Sequence, residues 1–169
     1  MKRFVVFLIF SAILLAGEVV KCIWAVDGDT IYVLRKGRRY KVRLLGVNAP
    51  ELDSHKPYLK KWAREALFYT ASMVMGRKVE LEYDREKFDE YGRLLAYVRT
   101  EEGLLSELLI KEGLGWAYRR KDYKLRGKFI ELEKLAKREK VGLFGDKIRN
   151  GGREEIKEGR YYLVKGKIK

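Results

Sequence analysis

The chain has no glutamine, only two asparagines (Asn48 and Asn150), one cysteine, one histidine and two prolines among 169 residues. A single cysteine excludes an intramolecular disulfide, so stability must come from the core and from ion pairs. Cys22 lies in an apolar, strand-like run and reads as a small buried hydrophobe. A single histidine excludes a cluster of histidine metal ligands and a histidine-based nucleophile system. His55 falls in a polar loop and reads as a solvated residue. Scarce Asn and Gln beside abundant Lys, Arg and Glu is the composition of hyperthermophile proteins and predicts a heat-stable molecule. No internal repeat and no long low-complexity tract is present.

What the chain does have is positive charge: 38 Lys and Arg against 24 Asp and Glu, a formal net charge of +14 and a sequence pI near 9.8. A cationic surface attracts polyphosphates and releases their counterions, so an acidic polymer is the expected partner. Charge of this kind names a partner class and not an activity.

At the N-terminus, Lys2-Arg3 precedes an apolar run from Phe4 to Ala16 that only Ser11 interrupts, followed by Gly17 and Glu18. These are the parts of a secretory signal, and the run is short for a transmembrane helix. Residues 1–17 are therefore expected to be a signal peptide or an uncleaved N-terminal anchor, giving an exported protein, secreted or periplasmic. Cleavage would remove only Lys2 and Arg3 of the charged residues and leave the chain strongly basic.

From Glu18 the pattern is a β-meander. Val19 to Ala25 is rich in β-branched and aromatic residues, Thr30 to Arg35 alternates, and Arg38 to Leu45 alternates again after the Lys36-Gly37 turn. In the third strand Tyr40, Val42 and Leu44 share one face, which turns Arg39, Lys41 and Arg43 to the other. Glu51 to Lys61, with Pro57, reads as a loop, and a helix is expected from about Trp62 to Met75. Strands follow over Arg77 to Tyr83 and Arg93 to Arg99, joined by the charged stretch Asp84 to Gly92. A short helix is expected over Leu104 to Glu112, and a second within Tyr123 to Lys140, where Phe129, Leu132, Leu135 and Ala136 recur at helical spacing as a core stripe.

Five short strands with about three helices match a Greek-key barrel of the OB type, an α+β fold. The domain is assigned to residues 18–145. A Gly-, Lys- and Arg-rich tail occupies 146–169, where Tyr161 to Val164 either adds a strand or anchors the tail.

Three blocks carry a resemblance: Val26-Asp27-Gly28-Asp29-Thr30, then Val42-Arg43-Leu44-Leu45-Gly46-Val47-Asn48-Ala49-Pro50-Glu51, then Asp89-Glu90-Tyr91-Gly92-Arg93-Leu94-Leu95-Ala96-Tyr97. In order and spacing, over about residues 20 to 144, the chain resembles the staphylococcal nuclease (thermonuclease) family. The resemblance implies a Ca²⁺-dependent hydrolase of DNA and RNA that cuts the P–O5′ bond and leaves 3′-phosphates; a monomer that requires no protein partner is the default expectation. It implies Asp29 as the main metal ligand, helped by Asn48 and the main-chain carbonyl of Ala49, with Asp27 orienting it. Glu51 is then the general base or water-orienting group, and Arg43 and Arg93 grip the phosphate. Tyr91 and Tyr118 are the expected substrate contacts.

Residue chemistry agrees with these assignments. A carboxylate oxygen is the ligand that Ca²⁺ prefers, and arginine pairs its planar donors with phosphate oxygens. The chain departs from the family at Asn48 and Ala49, where Asp and Thr are usual, so one negative charge is lost at the ion. It departs again at Glu90, which replaces a phosphate-binding lysine. Single-stranded nucleic acid is the expected substrate, because a barrel groove with aromatic platforms accepts unstacked nucleotides. The rival readings are a catalytically silent nucleic-acid-binding barrel and a membrane-anchored scaffold whose basic face meets acidic phospholipid headgroups.

Overall fold

Alternation along the first three strands builds the barrel wall. In the computed structural model, which describes residues 17–145, β1 (Glu18–Ala25), β2 (Thr30–Arg35) and β3 (Arg38–Leu44) form an antiparallel meander. The signal or anchor segment and the basic tail with Tyr161 to Val164 lie outside the described residues. Cys22, Ile31, Val33, Val42 and Leu44 point inward and are buried, while the residues between them keep contact with solvent.

After β4 (Val47–Asn48) comes helix α1 (Pro57–Val74), and then β5 (Lys78–Phe88) and β6 (Leu94–Thr100) form a hairpin. β5 pairs with β1, and β6 returns to β3 in the parallel sense, Val42 opposite Leu94 and Arg43 opposite Leu95. This pairing closes a five-stranded mixed barrel in the order β3-β2-β1-β5-β6. The short β7 (Gly103–Leu104) leads into α2 (Leu105–Lys111), β8 (Trp116–Ala117) pairs with β4, and α3 (Arg126–Arg138) is followed by a 3₁₀ turn at Gly142–Phe144. The expected OB-type barrel with three helices is the observed fold.

Inside it, Leu81, Leu94, Leu105, Leu109, Ile110 and Phe129 are wholly buried. Each contributes roughly 1.5–3 kcal/mol of transfer free energy. Phe129 meets Tyr97 edge-on at 6.1 Å, so α3 is docked on β6 through aromatic packing.

Three elements differ from the sequence reading. Helix α1 begins at Pro57, not near Trp62, because proline at the first helical position lacks only an N–H that would have no helical partner anyway. Strand β5 runs on to Phe88 as a hairpin arm through residues 85–88, which are exposed on both faces and therefore show no alternation. On α3, Leu135 is 37% exposed, and the inward position between Phe129 and Ala136 belongs to Glu133, which is 1% exposed. Glu133 is charge-paired there: the Ala117 N–H donates to its Oε2 at 2.9 Å, Arg119 donates to the same oxygen at 2.8 Å, and the Lys137 ammonium lies 2.5 Å from Oε1 as an ion-pair partner.

Candidate active site

The tight turn between β1 and β2 sets the first carboxylate. Val26 N–H donates to the Thr30 carbonyl at 2.8 Å, and the Asp29 N–H donates to Asp27 Oδ1 at 2.9 Å. Gly28 allows α1 to press on this turn, since a Cβ there would lie 2.5 Å from that of Ala66 and 2.7 Å from that of Ala49. Thr70 on α1 donates its hydroxyl to the Gly28 carbonyl at 2.7 Å. The result is an Asp29 that is 5% exposed. Burial pushes its carboxyl up to about 6, with the charge of Asp27 adding to the rise, against the opposing pull of Arg43, the Ala49 N–H and Thr30.

Arg43 stands opposite Thr30 in the β2–β3 ladder. Its Nη2 lies 3.1 Å from Asp29 Oδ2 and donates to Asn48 Oδ1 at 3.0 Å. Its Nη1 donates to the carbonyls of Leu44 and Val47 at 2.9 and 2.8 Å. The guanidinium is thus fixed by two main-chain and two side-chain acceptors, a fork geometry that lysine could not reproduce.

Asn48 and Ala49 complete the cluster. The Ala49 N–H donates to Asp29 Oδ2 at 2.6 Å, and β4–β8 pairing sets Asn48 opposite Trp116. Glu51 follows on an exposed loop, and a pocket of about 420 Å³ opens between this loop, Asn48 and Trp116. Asp27, Asp29, Arg43, Asn48 and Ala49 therefore form one bonded unit, with Glu51 on the rim of the adjoining pocket.

A second unit forms at the β5–β6 hairpin. Gly92 takes φ of +72°, which closes the Asp89–Arg93 turn. Asp89 Oδ1 accepts the main-chain N–H groups of Tyr91 and Arg93, and its Oδ2 accepts Arg93 Nε at 2.7 Å. Burial alone would raise the Asp89 carboxyl, but these donors and the Arg93 charge hold it below the usual 3.8. The Arg93 guanidinium lies 5.4 Å from the ring centroid of Tyr91, which is 76% exposed. Among the described residues no hydrogen bond or ion pair joins this unit to Asp29. Barrel closure relates the two, because Arg43 follows Val42 on β3 and Arg93 immediately precedes Leu94, the residue of β6 paired with Val42.

Tyr118 is half-buried, its N–H donating to the Gly46 carbonyl at 2.9 Å and its own carbonyl accepting Tyr123 Oη. Glu90 is exposed on the hairpin tip, and His55 is exposed on the loop that lines the pocket. Asp89, Thr70 and Trp116 each bear on the site without having been singled out from sequence. Asp89 had a local signal, four residues before an arginine across a Gly turn; Thr70 and Trp116 had none, as their partners are distant in the chain.

The donor set suits a hard cation in kind: a carboxylate, a side-chain amide and a main-chain carbonyl, all oxygen. Only one of these is charged, and among the described residues no group of three or more His, Cys, Asp and Glu forms a metal cluster. An ion held here would keep several ligand positions for water and substrate oxygens.

The barrel with this charged rim defines a family. The family model described as "Staphylococcal nuclease homologue" matches residues 41–146. A thermonuclease of Staphylococcus hyicus is 35% identical over 127 residues, covering 75% of this chain and 75% of its own length. A thermonuclease of Staphylococcus intermedius is 37% identical over 114 residues, covering 68% and 66%. Endonuclease YncB of Bacillus subtilis is 38% identical over 91 residues, covering 53% and 43%. The chain belongs to the staphylococcal nuclease family.

Proposed function

We propose that this chain is a divalent-metal-dependent nuclease that hydrolyses phosphodiester bonds of DNA and RNA. The observation that carries the reading is the barrel closure that sets Arg43, paired with the buried Asp29 carboxylate, on the strand next to the one that Arg93 leads into.

Ca²⁺ would be held by Asp29, Asn48 Oδ1 and the Ala49 carbonyl, and when bound it supplies Lewis-acid stabilisation of the phosphate charge. Glu51, exposed on the pocket rim, orients the attacking water and accepts its proton. Arg93 meets the phosphate with its terminal nitrogens, its Nε being held by Asp89. Arg43 reaches the phosphate by exchanging its contacts with Asp29 and Asn48 while keeping those with the Leu44 and Val47 carbonyls. Water attacks phosphorus, the P–O5′ bond breaks, the 5′ oxygen takes a proton from solvent while Glu51 returns its own to solvent, and the other product carries a 3′-phosphate. Because the grip is on phosphate, base sequence has little influence, and unpaired strands are preferred.

Export after loss of residues 1–17, a nuclease domain over 18–145, a basic tail from 146, action as a heat-stable monomer, and contact of Tyr91 and Tyr118 with substrate belong to the same reading. Its test is incubation of the full chain with denatured DNA at raised temperature, with Ca²⁺ or with chelator, beside Glu51→Ala and Arg93→Ala. Calcium-dependent degradation that Arg93→Ala lowers by roughly 10²-fold to 10³-fold is expected. Tight DNA binding without metal-dependent cleavage would instead favour the catalytically silent barrel, a reading that the engagement of Asn48 Oδ1 by Arg43 supports.

A further inference from the structure

Strand β8 and the residue that follows it, Tyr118, whose N–H continues the pairing by donating to the Gly46 carbonyl, carry two aromatic residues at alternate positions. Trp116 and Tyr118 are half-buried while Ala117 between them is buried, so both rings belong to the outward face of the strand. Alternate residues of a strand stand about 7 Å apart, a step that an extended, unstacked nucleic acid strand can match base for base. The antiparallel register sets Trp116 opposite Asn48, beside the candidate metal ligands, and Trp116 lines the 420 Å³ pocket whose rim holds Glu51.

The charges around that pocket select its occupant. Glu51, Asp53 and Lys56 line it, with His55 as the remaining titratable neighbour. Two carboxylates against one ammonium make a poor seat for a phosphate, whose expected place is at the arginines. An uncharged planar group with polar edges, set against an indole, fits the same space.

We propose that the pocket is a subsite for one unpaired nucleobase, that of a nucleotide flanking the scissile phosphate, and that Trp116 is the stacking residue that makes the site prefer single strands. This deepens the nuclease reading of the same site and rests on it for the position of the scissile phosphate. The indole acts on substrate binding and has no part in bond making or breaking.

The test is equilibrium binding, read by fluorescence anisotropy, of the full chain to a labelled oligothymidylate in the presence of chelator. A matched series of oligonucleotides carries a single abasic residue at each position in turn. Trp116→Ala should weaken binding of the intact strand by roughly 5-fold to 150-fold, and Trp116→Phe should restore most of the loss. One abasic position should weaken wild-type binding to a similar degree and cost Trp116→Ala nothing further, since the base and its platform are then already uncoupled. Unchanged affinity of Trp116→Ala, or an abasic penalty of equal size in wild type and variant at every position, would overturn the proposal. Main-chain pairing of Trp116 with Asn48 survives these substitutions; if thermal melting shows that Trp116→Ala is unfolded, the abasic series on Trp116→Phe decides, a wild-type pattern being expected and a flat profile refuting it. Cleavage is scored separately with Ca²⁺: coupled binding without cleavage would sustain the subsite while removing the nuclease reading.

Discussion

The Arg43 guanidinium sits 3.1 Å from the Asp29 carboxylate, and both groups are largely shielded from water. Attraction between them does not repay the burial of Asp29, whose carboxyl remains above its ordinary value. The pair is thus arranged for a role in which a further positive charge arrives, and it burdens the metal-free fold.

Asp29→Asn should therefore stabilise the protein in chelator near neutral pH. A raised carboxyl favours the fold below the unfolded value of 3.8, and this contribution is lost as pH rises through about 6. Arg43 keeps the Leu44, Val47 and Asn48 acceptors in the variant. A gain of about 1–3 kcal/mol is expected, read by urea unfolding at pH 7, and the gain should vanish near pH 4.

Asp89→Ala removes the carboxylate that holds Arg93 and the Tyr91 N–H. Turnover on denatured DNA should drop by up to about 100-fold, as expected when a phosphate-binding group is misplaced by an ångström. The midpoint of thermal unfolding should fall only modestly, because the hairpin tip is exposed. A variant with full activity would show that the ion pair does not position Arg93.

Gly28→Ala forces a methyl group against Ala49 and Ala66 at distances that real Cβ atoms do not adopt. A loss of about 1–3 kcal/mol follows from overpacking. Asp29, the next residue, moves with the turn, so calcium binding measured by calorimetry should weaken in the same variant.

Glu133 has the opposite pH behaviour to Asp29. Burial would raise it, but Arg119, Lys137 and the Ala117 N–H outweigh burial and hold it below the ordinary 4.5. Its contribution is complete above pH 4.5 and is lost as pH falls through the lower folded value. Glu133→Gln should cost stability at pH 7 and should flatten the acid limb of the stability profile between pH 5 and 3, measured by urea unfolding. Glu133→Ala, which leaves the Ala117 N–H without its acceptor while the half-exposed Arg119 and Lys137 turn to water, should cost about 1–3 kcal/mol.

Much of this was legible in the sequence. The alternation of Ile31, Val33, Val42 and Leu44 identified the barrel wall, and the Asp27 to Thr30 turn, the Arg43 to Glu51 segment and the Asp89 to Arg93 turn marked the rim. Partnership across the fold was not legible. Nothing local distinguishes Glu133 from a solvated helix glutamate, since its donors come from the β8 region and the following turn of α3. Strand parity at Trp24 was hidden for the same reason: the register shift between Cys22 and Trp24 leaves Cys22 facing the core opposite Val33 and sets Trp24 opposite Tyr32, 4.6 Å between ring centroids. Pro57 misled because a loop and a helix start share the same residue preference.

The parallel pairing of β3 with β6 has a kinetic consequence. Arg43 and Arg93 are about fifty residues apart in the chain, so their approach waits on one of the two long-range closures of the barrel, the other being the pairing of β1 with β5. Contacts of such long range form late and slowly during folding. A nascent or partly folded chain therefore possesses every residue of the rim yet has no assembled grip on phosphate. Competence arrives only when the β3–β6 ladder closes, which makes the site a built-in reporter of that pairing.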